Sequence, residues 1–118
     1  MLTEKTPERD VIIACNPHAI PADMREQWAA TGKHVYAAVQ EIQDLPDGYR
    51  FRLPADSTML VNVAEYISNE RLCCAFLRFT VEVEPNGGPF WLCLTGGEDV
   101  KEYIRSVFET TNLFSMRF

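Results

Sequence analysis

The chain has 118 residues, 47% of them apolar and 24% charged, the balance of an ordinary soluble globular protein. Seventeen acidic side chains against eleven Lys and Arg give a net charge of -6, which disfavours a nucleic-acid partner and an anionic membrane surface. No apolar run is long enough to span a bilayer.

Residues 1–10 are polar and mixed in charge, without the basic start and apolar segment of a signal peptide. They read as an N-terminal arm, with residues 11–118 forming a single domain. The expected location is cytoplasmic and the expected state of the cysteines is reduced. Val11-Ile12-Ile13-Ala14-Cys15 is apolar and β-branched and predicts a strand, ended by Asn16-Pro17. Pro21 opens a helix with Asp23 and Glu26 near its positive end. Met24, Trp28, Thr31 and Val35 make its buried stripe, and Gly32 weakens its middle.

Residues 40–45 and 49–53 flank Pro46-Asp47-Gly48 and read as a β-hairpin whose Asp-Gly pair supplies positive φ. Tyr49, Phe51 and Leu53 alternate with Arg50 and Arg52, giving one buried and one wet face. Pro54 stops this strand, and Asp56 or Ser57 caps a second helix. Its predicted core stripe is Leu60, Val63, Ala64 and Ile67, continuing through Glu70 or Arg71 to Cys74.

Residues 76–84 predict a strand with Leu77, Phe79, Val81 and Val83 on the inner side. After the turn Pro85-Asn86-Gly87-Gly88, residues 90–94 return with Phe90, Leu92 and Leu94 inward and Trp91 and Cys93 outward. A last helix starts at Glu98 with Val100, Tyr103, Ile104 and Phe108 along one side. The two Phe of residues 113–118 are expected to pack down.

Each half therefore runs strand, Gly-containing turn, strand, helix. The expected fold is α+β: two layers, with a four- or five-stranded antiparallel sheet and helices on one face, as a tandem ββα repeat. Counting the first strand and helix gives a ferredoxin-like variant instead.

The chemically unusual stretch is Glu70-Arg71-Leu72-Cys73-Cys74, where a helix gives way to a strand. Two thiols at one point suit a soft metal ion or metalloid. Cys15 is a candidate third thiol, His18 a candidate nitrogen ligand, and Glu70 lies one helical turn before the pair as ligand, base or ion-pair partner. The bland alternative makes Cys73 and Cys74 small apolar residues in a tight corner. A helix C-terminus disfavours a thiolate, so a thiol enzyme is the least supported class. Ser-His-Asp and phosphate-loop patterns are absent from the sequence. Arg50, Arg52, Arg78 and an exposed Trp91 form a second candidate, an interaction face through which the chain would homodimerise.

The string Glu70-Arg71-Leu72-Cys73-Cys74-Ala75-Phe76-Leu77-Arg78-Phe79 resembles the pattern Glu-x-x-Cys-Cys-Pro-Phe-x-x-Phe of small uncharacterised bacterial proteins, some associated with metal-responsive regulators or metal-resistance genes. The resemblance extends to Cys15-Asn16, to residues 47–54 and to Leu94-Thr95-Gly96, while Ala75 stands where the pattern has Pro. It implies a soft-metal or thiol role for Glu70, Cys73 and Cys74, with Cys15 as third thiol, and no reaction.

Overall fold

The computed structural model describes residues 14–110. The expected arm, most of the expected first strand and the 113–118 tail lie outside the described residues, and Ala14 and Cys15 are not in a strand. The fold is α+β, with three helices and a four-stranded antiparallel sheet. In chain order the elements are α1 (Arg25–Ala37), β1 (Glu41–Leu45), β2 (Gly48–Leu53), α2 (Ser57–Cys73), β3 (Arg78–Val83), β4 (Phe90–Thr95) and α3 (Glu98–Thr110). The strands lie in the order β1-β2-β4-β3, every neighbour antiparallel. No helix among the described residues is long and apolar enough to cross a membrane.

Period-two alternation sets the sheet's inner face. Tyr49, Phe51 and Leu53 of β2 pair with Leu94, Leu92 and Phe90 of β4, so six large side chains meet on one side. Val35 and Val39, Met59, Val63 and Tyr66 of α2, and Val100 and Ile104 of α3 close the same core. Phe51, Leu53, Leu92 and Val35 are fully buried, each contributing on the order of 2 kcal/mol by leaving water.

Three local expectations are corrected. Gly48 has no positive φ; it pairs with Thr95 in the ladder, and a Cβ there would collide with the Leu94 carbonyl oxygen. Close approach of two backbones is therefore what requires glycine. The positive φ values belong to Asn86 and Gly87 of the second hairpin.

The buried stripe of α2 is Met59, Val63, Tyr66, Asn69 and Cys73, about one position off the expected one, and Ala64 is exposed. The cause is α1, which packs along α2 and draws Tyr66 inward. Gly32 is what admits it, because a Cβ there would stand 2.9 Å from the Tyr66 ring. Gly32 thus serves packing, and α1 runs through it unbroken.

On β3, only Phe79 of the expected inner set is partly covered within the strand; Val81 and Val83 are 37% and 57% exposed. The helices cover the central strands and leave this edge bare.

The outer face differs from expectation too. Trp91 is only 8% exposed. The Arg50 guanidinium lies 3.8 Å over its ring and bridges to Glu82 at 3.1 Å, while Arg52 pairs with Glu41 at 3.6 Å. Cation–π stacking thus roofs the indole with charge. Arg78 is exposed at the start of β3.

Candidate thiol site

α2 ends at Cys73, and its terminal carbonyls need donors. The amide of Asn16 donates to the Cys73 carbonyl at 2.9 Å, which lays residues 14–20 across the helix end. The segment is fixed by two further devices. Ile20 is fully buried against Cys73 and Cys74, and Arg25 Nε donates to the carbonyls of Pro17 and Ile20, each at 3.1 Å. This placement brings the Cys15 Cα within 4.7 Å of that of Cys74, and the two residues are joined as a disulfide. The expectation of four reduced thiols is corrected accordingly. The pairing links positions 59 residues apart, and what makes it is the backbone bond between Asn16 and Cys73.

Cys73 is free and buried. Its sulfur lies 3.9 Å from that of Cys74, and the three sulfurs of Cys15, Cys73 and Cys74 all lie within 4.8 Å of one another. Burial pushes the Cys73 thiol above its ordinary pKa, the Glu70 charge adds to that, and the Asn16 amide opposes it.

Glu70 is brought to the same point. One carboxyl oxygen, Oε2, lies 3.2 Å from Cys74 Sγ, and the other accepts a 2.7 Å bond from the Trp28 indole N–H. Burial raises its carboxyl above the ordinary carboxylate range, against hydrogen bonds from Trp28 and Tyr66 that favour the charged form. Behind it, the Tyr66 and Tyr36 hydroxyls are 3.0 Å apart, and burial pushes both phenols well up. From α3, the Tyr103 hydroxyl donates to Cys15 Sγ at 3.0 Å, and its ring meets Phe76 edge-on.

A cavity of about 300 Å³ adjoins the cluster, lined by Trp28, Tyr36, Tyr66, Leu94, Tyr103 and Phe108 together with Cys15, Glu70 and Cys74. The aromatic walls lower the local dielectric, so sulfur and carboxyl chemistry there is sensitive to proton placement.

Of the five residues expected at the site, Cys15, Glu70, Cys73 and Cys74 converge. His18 does not join them: it is exposed in a short 3₁₀ turn whose amide donates to Asn16 Oδ1 at 3.2 Å. Cys93, expected to point outward, is free and buried in β4 on the outer face. Two contributors went unread. Trp28 figured only as core stripe and Tyr103 only as the inner side of the last helix; a polar atom on each aromatic ring was the sole available hint.

No family model matches the chain, and no curated protein or solved structure gives a significant match to it.

Proposed function

We propose that this protein is a non-enzymatic binder of thiophilic metal or metalloid ions, which it holds in the reduced state through Cys15, Cys73 and Cys74. The observation that carries the reading is the convergence of three sulfurs from two distant segments within 4.8 Å. With metal–sulfur bonds of about 2.3 Å, three sulfurs around one ion stand about 4 Å apart; the Cys73 and Cys74 sulfurs already stand 3.9 Å apart, and reduction must let Cys15 and Cys74 part from bonding distance to match. An all-sulfur donor set selects copper(I), mercury(II) or arsenite over hard cations. Glu70, hydrogen-bonded by Trp28 and beside Cys74, is placed to receive a thiol proton when an ion displaces it. The resemblance of residues 70–79 to metal-associated bacterial sequences supports the same class of ligand.

Anaerobic titration of reduced protein with arsenite tests this directly. One ion per chain is expected, with Cys73→Ser and Cys74→Ser each lowering affinity at least about 100-fold, the upper end of the cost of losing even an outer-shell partner. Equal binding by wild type and the double variant contradicts the reading.

A second reading rests on β3. This edge strand exposes Val81 and Val83, an arrangement that supports pairing between two copies along the edge. Sizing of the native protein and of Val83→Lys tests it, and a monomer in both cases removes it. The element order also favours a duplicated ββα unit over the ferredoxin-like variant, since β2 and β4, the second strands of the two halves, are antiparallel neighbours.

A further inference from the structure

A bare ion held by three sulfurs needs no room beyond its donors, yet a cavity of about 300 Å³ opens beside this cluster. That is the lower end of the size that takes a small organic ligand. Trp28 of α1, Tyr66 of α2, and Ile104 and Phe108 of α3 wall it, and Leu94 of β4 closes it toward the sheet. Ala29 and Val107 also line it; both are exposed and mark its opening to solvent between α1 and α3.

Two sulfurs stand in this wall. Cys15 and Cys74 line the cavity, whereas Cys73 does not. The lining holds no Lys, Arg or His among the described residues, so an anion would find no countercharge there. Its one carboxylic side chain, Glu70, is engaged by the Trp28 indole at 2.7 Å and lies 3.2 Å from Cys74 Sγ, so it is not turned toward an organic cation. The group this space suits is neutral and apolar, and anchored on two sulfurs. A trivalent arsenic with one carbon substituent has that composition: it is thiophilic, it takes two thiolates, and carbon fills its third position. The Cα atoms of Cys15 and Cys74 are 4.7 Å apart, so two sulfurs with bonds of about 2.3 Å can share one arsenic.

We propose that the reduced site takes aryl-substituted arsenic(III), with arsenic on Cys15 and Cys74 and the aromatic ring in the cavity between α1 and α3. The proposal rests on the thiol-site reading for its thiophilic ligand, but a carbon stands where that reading puts the Cys73 sulfur. A phosphine first opens the cystine. It takes up the oxygen of one water and is oxidised, while two electrons and the two protons of that water pass to the sulfurs. Phenylarsonous acid then meets two thiols. Two As–S bonds form, two As–O bonds break, and each thiol proton leaves with a hydroxide as water. Arsenic stays trivalent throughout. What the protein adds over any free dithiol is the burial of the ring, with Trp28, Tyr66 and Phe108 as aromatic neighbours.

Reduced full-length protein is titrated anaerobically with phenylarsonous acid and with methylarsonous acid, which differ only in the buried group. Dithiothreitol, a dithiol without a cavity, is the reference. The protein should prefer the phenyl compound by at least about 10-fold more than dithiothreitol does, the low end for burying a phenylalanine-sized side chain. Ala29→Trp, which sets an indole at the opening, should lower that preference toward the reference. In wild type, nuclear Overhauser contacts should join the phenyl protons to the methyls of Leu94 and Ile104. This mapping needs no variant, so a folding defect in Ala29→Trp does not shield the proposal. A preference equal to that of dithiothreitol, or a ring without these contacts, overturns it; arsenite binding alongside that result leaves the three-sulfur reading standing. Phenyl preference with the contacts but without arsenite binding supports the proposal and removes the three-sulfur reading. Binding of neither arsenite nor the arsonous acids removes both.

Discussion

Cys74 and Cys93 are equally hidden from solvent, at 1% and 5% exposure, yet their surroundings could hardly differ more. Cys93 sits in the middle of β4 with Arg50 opposite on β2 and Thr80 opposite on β3, so regular pairing surrounds it on both sides. Burial and Glu82 push its thiol up, and Arg50 only partly offsets them. Cys74 closes a helix, carries a bond to a residue from another segment, and has a second thiol and a carboxyl as neighbours. Burial alone does not separate the two cysteines; a neighbouring carboxyl and a second thiol do. The contrast lies in the second half of each environment, and that half is tertiary.

The largest expected effect sharpens this contrast on the stability side. Cys74→Ala removes a crosslink spanning 59 residues, and chain-entropy arguments set its cost at about 4 kcal/mol in the oxidised protein. Chemical denaturation of wild type and variant under oxidising conditions should show that gap, and it should close when both are reduced. A persistent gap after reduction would mean that Cys74 acts through packing, as Cys93 does.

A smaller effect concerns pH. The Glu70 pKa is raised in the folded state, so the folded chain binds more protons there than the unfolded one. Stability from this group is fully present below the ordinary carboxyl pKa and is lost as pH rises through the raised one. Thermal unfolding between pH 4 and 8 should show wild type declining relative to Glu70→Gln. Parallel profiles would place the carboxyl in a better-solvated setting than its contacts describe.

The smallest effect is that of Cys93→Ala. Losing one sulfur from a well-covered strand is expected to cost about 1 kcal/mol, with no change in the number of arsenite ions bound by reduced protein. A loss of binding on this substitution would erase the distinction between the two cysteines.

Much of the sheet was legible in the sequence. Alternation with period two places Tyr49, Phe51 and Leu53 on one side whatever packs above them, and the same holds for Phe90, Leu92 and Leu94. Helix faces were less legible, because neighbouring apolar residues compete. Met59 and Leu60 are equally apolar, and which one faces the core depends on how α1 docks, a matter settled by Gly32 and Tyr66 across 34 positions of chain.

The candidate site was half legible. A vicinal cysteine pair stands out by residue type, and Cys15 and Glu70 follow from proximity in pattern. Neither the cystine nor the Trp28 bond to Glu70 has a local signature; each joins residues more than 40 positions apart. Trp91 was misjudged for a related reason. Alternation places it correctly on the outer face, but its cover comes from Arg50 folding diagonally across the ladder.

If Cys15, Cys73 and Cys74 hold one ion together, three sulfurs surround it. X-ray absorption at the arsenic edge of reduced, arsenite-loaded protein measures this most directly. Three sulfur neighbours at a single short distance and no bound oxygen are expected, falling to two sulfurs in Cys15→Ser. Two sulfurs in the wild type, with the third position held by oxygen, would contradict it.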